Sequence, residues 1–175
     1  MRIIGLVGTK GAGKDTFADA LGLPKFSFAA PIKEACCAIF MLDDEAFEDR
    51  HLKETVDPRW GISPRSMLQT LGTECVRGHF GDDHWIRHMS MRLEQCSEDD
   101  IVITDVRFRD EADFVKARGG ELIRIVRPAL NVDDAHSSET AIRNIACDAI
   151  ILNDGSKEQL CKQATSFRKK NMSSV

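Results

Sequence analysis

Residues Gly8, Thr9, Lys10, Gly11, Ala12, Gly13, Lys14, Asp15 and Thr16 match the spacing GxxxxGK. Glycines at this spacing let the backbone curl until successive amide hydrogens face one anion, and a helix N-terminus behind them adds positive potential. Lys14 is then placed to bridge the outer phosphates of a nucleoside triphosphate, with Lys10 on the same loop to cover them. A glycine-rich turn with an incidental lysine uses the same letters, but an apolar strand before the loop and a helix after it supply the context the motif requires. One position departs from the usual form. The residue after the lysine is normally Ser or Thr, whose hydroxyl ligates Mg2+, and here Asp15 stands there with Thr16 next. Asp15 and Thr16 are metal-ligand candidates, directly or through water, and Asp15 is equally suited to meet a substrate.

Moving a phosphoryl group also calls for arginines and a carboxylate at other strand ends. The apolar run IVIT leads into Asp105, Val106 and Arg107. That order suits Asp105 to a magnesium-bound water or an acceptor and sends Arg107 over the same crevice. An Asp after a strand also caps helices, and Arg107 and Arg109 can be surface residues. Glu111 either contacts substrate or favours a helix N-terminus by its charge. Arg65 and Gln69 are four apart on an expected helix, hence on one face, where they present a guanidinium to phosphate and an amide to a base edge. A solvated helix face accounts for that pair as well. Trp85 is either a base-stacking platform or a core anchor. His84 and His88 lack a third ligand, so no zinc is assigned. Asp134, His136, Ser137 and Glu139 follow Arg127 and Pro128 in a polar stretch suited to a short lid over ATP. Asn153, Asp154 and Gly155 either border an adenine or form a turn.

The elements that must position these residues alternate. Arg2 to Val7 is an apolar strand ending in glycine, and a helix follows from Gly13 to about Leu21. Lys25 to Phe28 is a short strand candidate, and Pro31 opens a helix that carries Ile32 to Met41. The charged stretch 42–63, with Pro58 and Gly61, reads as an irregular insertion. Pro64 to Gly78 and Asp83 to Leu93 have helical apolar spacing. Ile101 to Thr104, Glu121 to Val126 and Asp148 to Leu152 are buried-strand candidates. Asp110 to Arg118 is a helix stopped by Gly119 and Gly120, and Ser156 caps a last helix reaching Phe167, beyond which Arg168, Lys169 and Lys170 fray. Strands alternating with helices imply right-handed crossovers and a parallel sheet of about five strands with helices on both faces, an α/β three-layer fold. Ligands of such sheets bind at the carboxyl ends of the strands.

With 175 residues, 42% of them apolar, the chain is long enough for one domain with its own core. A net charge of -4 argues against a partner that is a nucleic acid polymer, which needs a basic face. Six cysteines, at 36, 37, 75, 96, 147 and 161, form no CxxC pair and read as reduced, mostly buried thiols of a cytoplasmic protein. No apolar run approaches the roughly 20 residues a membrane span requires, so no membrane partner is expected. The oligomeric state is open, a homodimer among the options.

Taken in order, GTKGAGKDT, APIKEA, RSMLQTLGTE, DVRFRDEAD, ARGGELIRIVRP, DAHSSE and ILNDGSKEQL resemble the motifs of phage-type deoxynucleoside monophosphate kinases, relatives of the nucleoside monophosphate kinases in the P-loop NTPase superfamily. The likeness covers most of the chain and is weakest over 42–63, and the GKDT form is itself found in that family. It implies one P-loop kinase domain over 1–175, with 42–100 a mainly helical acceptor-binding insertion and 127–140 a short lid carrying Arg127, His136 and Glu139. It implies ATP and Mg2+ as cofactors, phosphate binding by Lys10 and Gly11 to Thr16, and acceptor binding by Arg65, Gln69, Gly72, Trp85, Asp105, Arg107 and Glu111. Lys33 matches a further motif position. The reaction implied is transfer of the γ-phosphoryl group of ATP to a deoxynucleoside monophosphate, with Lys14, Arg107 and Asp105 as catalytic candidates. In a phage-encoded protein this takes place in the host cytoplasm. Two other readings remain: a P-loop kinase of another small acceptor, such as dephospho-coenzyme A or a sugar acid, and a nucleotide-dependent switch without kinase activity.

Overall fold

The computed structural model describes residues 1–128 and 141–172. The chain divides into two compact units, Met1–Ser27 with Cys96–Val175, and Phe28–Gln95.

The first unit is built on a five-stranded parallel sheet. Its strands are β1 (Arg2–Val7), β2 (Lys25–Phe26), β3 (Asp100–Val106), β4 (Glu121–Val126) and β5 (Ala149–Leu152), in the spatial order β2-β3-β1-β4-β5. β1 lies in the middle, buried from Ile3 onward, which is why its sequence is continuously apolar rather than alternating. One face holds Ile4 and Leu6 of β1, Val102 of β3, and Ile123 and Ile125 of β4. It is covered by Phe17, Ala18 and Leu21 of α1 (Lys14–Leu21), together with Leu160 and Ala164 of the last helix, Lys157–Met172. The opposite face is covered by the helix Arg109–Ala117, which packs on β1 and β4 and buries Ala112, Phe114 and Val115. The sheet therefore has helices on both faces.

The second unit is helical. α2 (Ala30–Phe40) opens with Pro31 in its first turn, as expected for a residue lacking an amide hydrogen. Residues 42–63 are not irregular throughout. They contain α3 (Glu45–Glu48), α4 (Arg50–Glu54) and an antiparallel bridge between Asp57 and Ile62. Helices of one turn are too short to show a period, and what fixes α4 is local: the Asp49 carboxylate accepts from the Leu52 amide at 2.8 Å. α5 (Pro64–Gln69) continues as a π-helical stretch, Thr70–Arg77, before the single turn α6 (Gly78–Phe80) and α7 (His84–Glu94). The apolar spacing of 64–78 thus signals a helix but not its change of pitch. In this stretch Gly72 packs so closely on α2 that an added Cβ would lie 2.6 Å from Ile32 Cδ1.

With α8 the helix Arg109–Ala117 and α9 the helix Lys157–Met172, two further differences stand out. β3 runs on through Val106, so Asp105 lies inside the strand rather than after it. The basic residues 168–170 are helical rather than frayed, because Arg168 Nη1 donates to the Leu21 carbonyl at 2.7 Å and ties α9 to the end of α1. At its start, α9 has the serine cap expected at Ser156, made reciprocal by Gln159: Ser156 Oγ accepts from the Gln159 amide, and Gln159 Oε1 accepts from the Ser156 amide. The cysteines are less buried than expected, Cys36 alone being fully enclosed, Cys75 exposed and all six unpaired. Burial, with the neighbouring Cys37 adding, pushes the Cys36 thiol up to about 11.

Candidate active site

β1 ends at Val7 and delivers the loop 8–13 to the N-terminus of α1. The turn into that helix depends on Gly13, whose φ of 103° is one that side-chain-bearing residues rarely adopt. The first bond of α1 runs from the Phe17 amide to the Gly13 carbonyl. By helix geometry the amides of Lys14, Asp15 and Thr16 have no acceptor within the helix, and they point out of its N-terminus. Lys14 is buried, and its Nζ donates to the carbonyls of Gly8 at 2.7 Å and Thr9 at 3.0 Å. The ammonium is thereby held back over the loop, poised at a patch of positive potential.

A cavity of about 350 Å3 opens on this loop, within the range of small-molecule sites. Gly11, Gly13, Lys14, Asp15 and Thr16 form one wall, and Arg127, immediately after β4, belongs to another. Asn153, Gly155, Lys157 and Leu160, from the end of β5 and the start of α9, complete the lining. Asn153 is buried, and its Nδ2 donates to the Ala12 carbonyl at 2.9 Å, so it serves as part of the loop's support as well as of the cavity wall. Lys157 and Leu160 were not singled out by sequence. Only Leu160 left a signal, as an apolar residue of the expected last helix, and that signal points to packing.

At the neighbouring strand ends, Asp105 Oδ2 accepts from Ser27 Oγ at 2.7 Å, just past β2. Ser27 is a second residue the sequence did not announce. Arg107 follows β3, and its backbone amide donates to Glu111 Oε2 at 2.7 Å, as does that of Phe108 at 3.1 Å. Glu111 is 3% exposed. The structure thus seats Glu111 as a carboxylate that closes the turn between β3 and α8. Arg109 pairs loosely with Asp113 along the exposed face of α8.

In the helical unit, Arg65 is mostly buried, and its Nε donates to Glu54 Oε1 at 2.6 Å. Gln69, on the same helix, and Lys33, on α2, are half-buried. Trp85 is 7% exposed and donates from Nε1 to the Gly72 carbonyl at 2.9 Å, with the rings of His84 and His88 against its edges. That is the environment of a core anchor. Burial, with Arg92 and His84 adding, lowers the pKa of His88. Among the described residues no group of three or more His, Cys, Asp or Glu side chains is arranged for a metal. His136 and Glu139 lie outside the described residues, as does most of the proposed lid.

Comparison with known proteins decides between the P-loop families that such a loop serves. Residues 39–164 match the family model described as deoxynucleotide monophosphate kinase. A protein of Acanthamoeba polyphaga mimivirus that bears the family's name is 40% identical over 95% of both chains. The chain belongs to the deoxynucleotide monophosphate kinase family. The deoxynucleotide monophosphate kinase of Enterobacteria phage T4 is 27% identical over 75% of this chain and 57% of its own length. That of Escherichia phage RB69 is 29% identical over 68% and 50%. The fold is that of P-loop kinases. Dephospho-CoA kinase from Campylobacter jejuni superposes with a TM-score of 0.51 at 14% identity, covering 97% of this chain and 96% of that one. A Thermus thermophilus protein gives 0.53 at 16% identity, covering 97% of each chain.

Proposed function

We propose that this protein transfers the γ-phosphoryl group of ATP to the 5'-phosphate of a deoxynucleoside monophosphate, giving ADP and a deoxynucleoside diphosphate. The observation that carries the proposal is the phosphate cradle at the end of β1, found in a chain whose residues 39–164 match this family. The loop amides and Lys14 receive the donor's phosphates, and Arg127 faces the same cavity. An oxygen of the acceptor phosphate forms the new bond to the γ-phosphorus as the bond to the β-bridging oxygen breaks, and the electron pair leaves with ADP. The acceptor phosphate is already a competent nucleophile at neutral pH, so no covalent enzyme intermediate is needed. The chain's task is alignment and neutralisation of charge, by Lys14 and by Arg107, which the turn closed by Glu111 holds in place.

Mg2+ fits the donor set. One carboxylate and one hydroxyl, Asp15 and Thr16, line the cavity, and this ion characteristically takes one or two protein oxygens together with substrate phosphates and water. When bound it offsets negative charge on the phosphates. Asp105, held by Ser27, is a third candidate, for a metal-bound water or the acceptor. Arg65, Gln69, Gly72, Trp85 and Lys33 are proposed as the acceptor's binding element, with Arg65 and Gln69 contributing polar contacts and Gly72 and Trp85 acting through packing. His136 and Glu139 are proposed for the lid over the donor. Unpaired thiols and the lack, among the described residues, of a helix long and apolar enough to cross a membrane support a cytoplasmic setting.

The test is ADP release, coupled to an indicator reaction, across the common deoxynucleoside monophosphates, their ribose counterparts and dephospho-coenzyme A. Acceptor-dependent turnover with at least one deoxynucleoside monophosphate is expected. Turnover with dephospho-coenzyme A alone would reassign the acceptor, and none with any acceptor would remove the kinase reading.

A further inference from the structure

The carboxamide of Asn153 lies in the cavity wall and bonds to the loop's own backbone, with no phosphate contact assigned to it. Its Nδ2 donates to the Ala12 carbonyl at 2.9 Å. The peptide leading into Asn153 is itself held through both its N–H and its C=O. Its backbone amide donates to the Val126 carbonyl at 2.7 Å, and the preceding carbonyl, of Leu152, accepts from Gln163 of α9 at 3.2 Å. The donor is close packed as well as bonded, since a Cβ added at Gly13 would fall 2.6 Å from Asn153 Nδ2 and 2.9 Å from Leu160 Cδ2.

The consequence follows from the geometry of one peptide. No cis peptide occurs among the described residues, so the Ala12–Gly13 unit is trans and planar, with its C=O and N–H pointing in opposite directions. Whatever holds the Ala12 carbonyl therefore aims the Gly13 amide hydrogen. Gly13 lines the cavity at a φ of 103°, a region where glycine backbone is free to swing, so this peptide needs an outside anchor to keep its orientation. Rotating the peptide would put the carbonyl dipole, negative end first, where the anion has to sit.

We propose that Asn153 is a positioning residue for donor binding: by holding the Ala12 carbonyl it pre-orients the Gly13 amide toward the triphosphate, so that the cradle exists before the nucleotide arrives. This rests on the phosphate-cradle reading of the loop. The role is one of pre-organisation, and its loss falls on the affinity for phosphates rather than on the acceptor. Asn153 is placed to do this because it follows directly on the strand paired with β4 and starts the turn into α9, whose Leu160 packs on the same loop.

The experiment is calorimetric titration of wild type, Asn153→Ala and Asn153→Ser with inorganic tripolyphosphate and with ATP, magnesium present, alongside separate KM values for donor and acceptor. Tripolyphosphate isolates the cradle from any adenine contact. Both variants are expected to lose about tenfold in affinity for both probes, the size of one buried hydrogen bond, with the donor KM rising and the acceptor KM within about twofold of wild type. Serine keeps a hydroxyl but is too short to reach the carbonyl, so it serves where alanine fails to fold. Unchanged tripolyphosphate affinity in a folded variant overturns the role of Asn153 and leaves the cradle standing. Equal rises in both KM values overturn it too, since a merely structural residue would act that way. A wild type that binds neither probe overturns the cradle reading and this inference together.

Discussion

Lys14 is the residue on which the proposed chemistry turns, and its ammonium donates to the carbonyls of Gly8 and Thr9. Carbonyls orient an ammonium without adding a negative charge of their own, which suits it to meet an incoming phosphate. ATP at about 100 times its Kd stabilises a protein that binds it by about 2.7 kcal/mol, and the wild type is expected to show the corresponding rise in Tm. Lys14→Ala should abolish that rise while leaving the ligand-free protein folded. A nucleotide-dependent rise that survives in the variant would take Lys14 out of the donor site. Glu111 is a different kind of residue. Its buried carboxylate accepts from two amides of the turn that carries Arg107, and Glu111→Ala leaves both without that acceptor, at a cost of about 1–3 kcal/mol. Urea unfolding should show that loss, and kcat should fall with it as Arg107 loses its fixed backbone. A variant of wild-type stability would contradict the helix-terminus role.

At the scale of the elements, β1, β4 and the P-loop helix were legible because each is strongly marked: a buried central strand is apolar throughout, and glycines punctuate its end. What could not be read depended on partners far away in sequence. The π-helical stretch after Gln69 has ordinary helical letters, and its close approach at Gly72 is visible only once Ile32 and Trp85 are in place. Ser27 is an unremarkable serine until β2 and β3 are paired and its hydroxyl meets Asp105. Trp85→Phe keeps the packing and removes the donor to Gly72, which should lower the stability by about 1 kcal/mol, whereas Trp85→Ala should cost about 3–5 kcal/mol. Equal effects of the two substitutions in urea unfolding would mean that the hydrogen bond, and not the ring, anchors α7. A second element-level device is Asp148, immediately before β5. The Leu122 amide, and after it the Lys116 ammonium, hold its carboxyl below the usual carboxylate range. Because folding lowers this pKa, its stabilisation is full above about pH 4, the ordinary value, and is lost as pH falls through the lower folded value. Asp148→Asn should therefore be less stable than wild type at neutral pH and show a shallower acid decline; parallel pH profiles would show that Asp148 makes no such contribution.

Across the molecule as a whole, the parallel sheet with β1 at its centre brings the carboxyl ends of β1, β3 and β4 side by side, and the loop, Asp105 with Arg107, and Arg127 are carried on them. That placement was foreseeable from alternation of strands and helices alone, because sheets of this kind collect ligands at their strand ends. The choice of acceptor was not, since the physics of a phosphate cradle is common to many kinases and the family motifs carry the rest. The central claim is transfer between two nucleotides rather than hydrolysis, and phosphorus NMR of the protein with MgATP and each common deoxynucleoside monophosphate reads it directly. The account predicts that the γ-phosphate signal of ATP declines as the β-phosphate signal of a new deoxynucleoside diphosphate grows at the same rate. Inorganic phosphate accumulating in its place, or a spectrum unchanged with every monophosphate, would contradict it.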